Sequence, residues 1–222
     1  MAKIENNLEI IQTQIKQAKL RVNASQQVNI IAVTKEVDVA RTQEAIEAGL
    51  IHLGENRPEG LENKRQAIDA TVSWHYIGSL QTRKVKQVID QIDYLHSLDR
   101  LSLAEEIEKR ATKTVKCFVQ VNVSGEESKH GLTKEQTLAF VKQLEQFSKI
   151  EVVGLMTMAP FTEDETKIRE VFKQLKQLQQ QVSELSISNV PCTELSMGMS
   201  NDYELAVEEG ATFVRIGTAL VG

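Results

Sequence analysis

Two cysteines in 222 residues, Cys117 and Cys192, stand apart with no C-x-x-C pair and no neighbouring histidine. That excludes a disulfide framework and a cysteine-ligated zinc site. Two lone thiols fit a reducing, cytoplasmic compartment. Proline is as sparse, at Pro58, Pro160 and Pro191. No Pro- or Gly-rich linker divides the chain, so one domain over residues 1–222 is expected, a length that single α/β barrels commonly reach. Aromatics make up 5%, and 26 Lys plus Arg stand against 31 Asp plus Glu, a net charge of -5. The basic footprint of a nucleic-acid binder is therefore missing. No apolar run reaches the ~18 residues of a membrane span. The first residues, charged from Lys3 and Glu5 onward, lack the apolar core of a signal peptide. The expectation is a cytoplasmic monomer that engages neither nucleic acid nor membrane.

What is present is a repeating pattern. Ile4, Leu8, Ile11, Ile15 and Ala18 fall at helical spacing. Then Val28 to Val33, a short β-branched run, reads as a strand buried on both faces. A helix over Val39 to Ala48 stops at Gly49, and strands follow at Leu50 to Leu53 and at Ser73 to Ile77. A helical stretch runs from Gly78 to Ile92. Tyr94 to Ser97 is a strand with a helix over Leu101 to Ala111, and Val115 to Val123 a strand with a helix over Thr133 to Phe147. Glu151 to Met156 precedes a long helix with the stripe Ile168, Val171, Phe172, Leu175, Leu178 and Val182. Thr193 to Ser196, a helix over Tyr203 to Glu209 and Thr212 to Ile216 complete the series.

Eight strands alternating with helices, most about 21 to 23 residues apart, predict a closed α/β structure, a (β/α)8 TIM barrel. An open doubly wound sheet is the alternative. Only six residues follow Ile216, so no eighth crossover helix is expected, and the extra N-terminal helix is expected to cover that gap.

A barrel of this kind places its site at the C-terminal ends of its strands. Lys35 then lies just past the first strand, Glu55 and Asn56 past the second, and His75 in the third. Asn122 lies near the end of the fifth, and Met156 and Thr157 end the sixth. Met197, Gly198, Met199, Ser200 and Asn201 follow the seventh, and Arg215, Gly217 and Thr218 end the eighth. The last two clusters together predict a phosphate site, although Ser200 or Asn201 could equally cap the next helix. Closure brings Lys35 beside them. It could be an exposed loop lysine, a counter-charge, or a nucleophile forming a Schiff base. His75 is either a core histidine or a catalytic one. His52, His96 and His130 show no metal-ligand spacing, so no metal is expected. Lys129-His130-Gly131 is a lid or only a turn.

Several blocks carry a family resemblance. Ala32-Val33-Thr34-Lys35, Leu53-Gly54-Glu55-Asn56 and Trp74-His75-Tyr76-Ile77-Gly78-Ser79-Leu80-Gln81 lie in the first half. Val121 to Gly131, Gly154-Leu155-Met156-Thr157-Met158, Leu195 to Ser200 and Arg215-Ile216-Gly217-Thr218 follow. In this order they resemble the pyridoxal-phosphate homeostasis proteins, related to the N-terminal barrel of alanine racemase, a fold-type III architecture. The resemblance implies pyridoxal 5′-phosphate (PLP) as cofactor, held as a Schiff base on Lys35. It implies that Ser200, Gly217 and Thr218 hold its phosphate beside Met199, that Arg215 faces the pyridine nitrogen, and that Asn56 and His75 line the ring. The sequence departs from the family pattern at Ser79, at Arg83-Lys84, at Arg57 to Gly60 and in a short C-terminus.

A cation at the pyridine nitrogen opposes its protonation and weakens the ring as an electron sink. The second acid/base of a racemase comes from a further domain, and only four residues follow Thr218. The expectation is therefore a PLP carrier in cofactor homeostasis, exchanging cofactor with apo PLP-dependent enzymes and without established turnover. A racemase-like enzyme is the alternative, and a barrel acting on a sugar phosphate a third.

Overall fold

The first β-branched run forms β1 (Asn29–Val33), and its hydrogen bonds run to two partners, one adjacent in sequence and one near the chain's end. The computed structural model describes residues 2–126 and 130–222, so Lys129 of the predicted lid or turn lies outside the described residues. The other strands are β2 (His52–Glu55), β3 (Ser73–Tyr76), β4 (Tyr94–Leu98) and β5 (Val115–Gln120). They are followed by β6 (Ile150–Met156), β7 (Glu194–Met199) and β8 (Phe213–Ile216). All pair in parallel with their sequence neighbours. β8 returns to β1 with Ile31 opposite Arg215 and Ala32 opposite Ile216, which closes an eight-stranded barrel.

The helices bury the stripes their periodicity predicts. Ile4, Leu8, Ile11, Ile15 and Ala18 of α1 (Ala2–Arg21) are buried. α1 lies over the seam behind β8. There Asn7 Nδ2 donates to Leu220 O at 3.0 Å and Gln26, just beyond the helix, donates to Val207 O at 2.9 Å. α2 (Val39–Glu47) ends before Gly49, whose φ of 97° is the left-handed stop that glycine tolerates.

Helical structure differs from the expectation in three places. Pro58–Ala67 forms a helix, α3, that the periodicity did not reveal, because Leu61 is its only fully buried aliphatic side chain. Pro58 at its first turn is pre-set for helix entry. The stretch from Gly78 to Ile92 holds only α4 (Val85–Val88), between 3-10 turns at Thr82–Lys84 and Ile89–Gln91. Its β-branched residues favour burial over helix continuity. After α5 (Leu101–Arg110), α6 (Lys134–Gln143), α7 (Glu165–Glu184) and α8 (Tyr203–Glu208), a final four-residue turn, α9 (Thr218–Val221), caps the barrel.

β7 runs three residues further than its apolar run predicts, because it carries a bulge. Ser196 faces Phe213 but Met199 faces Arg215, so the register shifts between them. Gly198 sits there with φ 93°. Another glycine is required by space. A Cβ on Gly154 of β6 would lie 2.0 Å from Glu194 O in β7. Gly154→Ala is therefore expected to force the two strands apart and cost about 3 kcal/mol, the upper end of what overpacking usually costs. Denaturant unfolding of the variant measures this, and a loss below about 1 kcal/mol would show that the strands adjust freely.

The main core lies between strands and helices. A smaller cluster, Ile31, Phe118, Val153, Met156 and Phe213, fills the barrel interior, with Tyr94 and Met158 packed on it. The interior is not wholly apolar: His75, His96, Ser196 and Arg215 are buried there as well.

Candidate functional site

The strands' C-terminal ends open into a cavity of about 1380 Å³. Lys35, Asn56, Met199, Ser200, Arg215, Gly217 and Thr218 all line it. The β1–β8 pairing explains why: it sets Lys35, two residues past β1, against the end of β8 that carries Arg215. Lys35 is exposed, and among the described residues its side chain has neither an ion pair nor a hydrogen bond. Gly78 also lines the cavity, where a Cβ would strike Asn56 O at 2.5 Å. The Asn56 backbone therefore packs directly on the β3 loop.

Arg215 is a buried, fixed charge at the strand ends of this wall. Its Nη1 donates to Ser196 Oγ at 2.6 Å and its Nη2 to Thr157 O at 3.0 Å. Burial pushes the guanidinium down to about 10, against the pull of Asp202, so it stays a cation at neutral pH. Asp202 lies across the bulge and accepts the Met199 N–H at 2.6 Å. Its own burial raises its pKa, opposed by that hydrogen bond and by Arg215.

Asp202 also resolves the ambiguity over Ser200. The N-cap residue of α8 is Asp202, with its side chain turned back to Met199 rather than onto the helix. Neither Ser200 nor Asn201 is the cap, which leaves the Ser200 hydroxyl on the cavity wall.

His75 takes the core alternative of its two readings. It is fully buried and does not line the cavity. Its ring stacks on Tyr94 with centroids 4.3 Å apart, and both nitrogens bond to other histidines, His52 at 2.9 Å and His96 at 2.8 Å. Alternation in β3 turns His75 inward, but one step below the mouth, and Ile77 takes the mouth position. Glu55 is likewise buried beside α3, bonded to Lys64, and Asn122 bonds to the loop after β5. Asp202 and Lys64 are site elements that no local motif announced, whereas Glu55 and Thr157 stood at expected strand ends. Among the described residues no group of His, Cys, Asp or Glu could hold a metal, and no helix is long and apolar enough to cross a membrane.

The two innermost imidazoles carry a pH prediction. Burial, before the nearby cations and histidines, holds His75 and His96 well below the usual 6.5. Both are neutral when folded and bind protons more readily when unfolded, so stability is full above about pH 6.5 and falls as pH drops below it. With two protons involved, the slope should approach about 2.7 kcal/mol per pH unit. Urea unfolding between pH 5 and 8 measures this, and a flat profile would contradict it.

Residues 3–222 match the family described as alanine racemase, N-terminal domain. The chain is 40% identical over 197 residues to a pyridoxal phosphate homeostasis protein of Aquifex aeolicus, covering 87% of this chain and 86% of the relative. It is 34% identical over 227 residues to a protein of the same name in Pseudomonas aeruginosa, covering 100% and 96%. Among solved structures it is similar to PipY of Synechococcus elongatus with PLP bound, with a TM-score of 0.85, 32% identity and coverage of 99% and 100%.

Proposed function

Because the chain belongs to the pyridoxal phosphate homeostasis proteins, a family built on the alanine racemase N-terminal domain, we propose that it binds PLP in the cavity at the strands' C-terminal ends and holds it for intracellular cofactor homeostasis. The observation that carries this is the meeting, in one cavity, of a lysine without a partner among the described residues, just past β1, and a buried, fixed guanidinium on the adjacent strand β8. The PLP-bound PipY structure supports the reading for a relative of nearly identical length.

The residues fit the group. PLP brings an aldehyde that an amine can capture, and Lys35 offers an amine without a competing partner. Ser200 and Thr218 place hydroxyls on the wall near Gly217, whose missing side chain leaves backbone open to a phosphate. Arg215 presents only donors. It suits an unprotonated pyridine nitrogen and disfavours the protonated one, which weakens carbanion chemistry on the ring. Asn56, just past β2, also lines the cavity. Lys35, Met199 and Thr218 are exposed, so the site holds its ligand open to water. These features favour holding and handing over the cofactor, with apo PLP enzymes as recipients, above turnover of an amino acid.

The test is the absorption spectrum of the purified protein after adding PLP, followed by borohydride reduction and peptide mapping. A visible band that reduction fixes on Lys35 is expected. No band, or a label on another lysine, would overturn the reading. Absence of deuterium wash-in at Cα of added amino acids is expected of a carrier, and rapid wash-in would move the protein to the enzymes.

A further inference from the structure

Behind Arg215 a chain of side chains runs through the barrel interior, away from the residues that line the cavity. His52 Nδ1 lies 2.9 Å from His75 Nε2, His75 Nδ1 lies 2.8 Å from His96 Nε2, and His96 Nδ1 lies 3.0 Å from Ser196 Oγ. Ser196 Oγ is also the acceptor for Arg215 Nη1 at 2.6 Å. One end is therefore Arg215 on the wall of the large cavity. The other is His52, first residue of β2, which lines a second pocket of about 220 Å³ at the strands' N-terminal ends together with Leu8, Gln12 and Asn29. The chain joins the two faces of the barrel.

Donor counting fixes its direction. A guanidinium only donates, so Ser196 Oγ accepts from Arg215. Among the described residues its other partner is His96 Nδ1, and pointing the hydroxyl proton there satisfies it, whereas accepting from both neighbours would leave that proton buried without a partner. His96 then carries its proton on Nε2 and donates to His75 Nδ1. His75 in turn carries its proton on Nε2 and donates to His52 Nδ1. Every hydrogen bond points from Arg215 towards His52, and all three imidazoles are neutral Nε2–H tautomers.

We propose that this relay positions Arg215 and couples it to the protonation of His52 on the opposite face of the barrel. A cationic His52 bears protons on both nitrogens and must donate to His75. His75 and His96 then keep one proton each but carry it on Nδ1, while the added proton resides on His52. Ser196 Oγ now accepts from His96 and from Arg215, and its own proton loses its acceptor inside the barrel. A charge gained at one face thus forfeits a buried hydrogen bond at the other, and the coupling is reciprocal. Around His52 stand His75 from β3, Tyr94 from β4, Phe213 from β8 and the uncharged Leu8 and Gln12 of α1. Burial holds its pKa down, Asp93 opposes that and Lys116 adds to it. The consequence for the cofactor rests on the PLP reading above, while the relay itself is a property of the chain alone.

Long-range proton–nitrogen NMR of the full chain, with and without PLP, tests the relay. At pH 8 His52, His75 and His96 should all be neutral Nε2–H tautomers. In Ser196→Ala the His52 midpoint should rise by about one pH unit, and Ser196→Thr, which restores a hydroxyl, should return it. His52→Gln keeps an acceptor for His75 and should leave the His75 and His96 tautomers unchanged. Should Ser196→Ala fail to fold, the unmodified chain and His52→Gln decide between the outcomes. A proton on Nδ1 of His75 or His96 in the unmodified chain, or an unmoved His52 midpoint in folded Ser196→Ala, would overturn the proposal. Locked tautomers in a chain that gives no visible band with PLP would leave the relay standing and remove the cofactor reading.

Discussion

Lys64→Met is expected to destabilise the fold by about 3–5 kcal/mol, a large share of the stability of an ordinary domain. Lys64 reaches from α3 into a site where it is almost wholly buried. There Nζ donates to Glu55 Oε1 at 2.5 Å and to Thr34 O at 2.6 Å. Thr34 Oγ1 donates to the same carboxylate oxygen at 2.6 Å. Methionine has similar length and apolar bulk, so the cost comes from the buried Glu55 charge left with a hydroxyl as its side-chain partner. The double variant Glu55→Leu with Lys64→Met should recover most of the loss, since a buried pair replaced by packed apolar groups is often neutral. Thermal unfolding should fall by roughly 6–20 °C in the single variant. A single variant within about 1 kcal/mol of the parent would show that water reaches Glu55 and the pair is not a clamp. The pair also matters to the site, because Thr34 O precedes Lys35. Releasing it frees the segment that presents the Lys35 amine, and PLP retention should weaken in the single variant even where the fold survives.

That clamp shows where sequence reading reaches its limit. Period and burial agree wherever a helix carries its own stripe: Ile168 to Val182 of α7 and Ile4 to Ala18 of α1 are buried as their spacing predicts. Strand order and closure were also legible, because eight similar βα units leave few arrangements. Closure in turn collects Lys35, Asn56, Ser200, Arg215 and Thr218 at one mouth without any motif being needed. α3 was not legible, since its buried face is Pro58, Leu61 and Lys64, and Lys64 reads as a surface residue until Glu55 is placed beneath it. For His75 the sequence left core and catalytic places open for a different reason. Alternation says which way a side chain faces, but its depth depends on strand tilt and stagger around the whole barrel. That collective quantity decides whether an inward residue reaches the mouth, as Ile77 does, or stays in the interior as His75 does. The β7 bulge at Gly198 is intermediate: the sequence placed Gly198 in the segment after the strand, but not that pairing continues past Ser196 to Met199.

Lys35→Ala is expected to abolish covalent PLP retention completely while leaving stability within about 0.5 kcal/mol of the parent. The two effects separate because Lys35 is exposed and bonds to nothing else among the described residues, so the barrel does not depend on it. Alanine alone does not distinguish a nucleophile from a counter-charge, since either role is lost with the amine. Lys35→Arg does. Arginine keeps the positive charge and can fork onto a phosphate, but its guanidinium stays protonated and does not capture an aldehyde. If Lys35 were a counter-charge, Lys35→Arg would bind PLP nearly as the parent does. As the covalent anchor, both variants should lack the visible band and the borohydride-fixed label. The weak affinity that remains would then be due to Ser200, Gly217, Thr218 and Arg215. Measured by equilibrium dialysis, it gives the noncovalent share of binding directly. A carrier needs that share to be small: a cofactor held mostly by one reversible covalent bond can leave when a competing amine captures its aldehyde, whereas one held mostly by its phosphate would follow free phosphate instead. Release from the parent protein should therefore accelerate with added primary amine and respond little to inorganic phosphate. The opposite order would place the hold in the β7 and β8 loops rather than at Lys35.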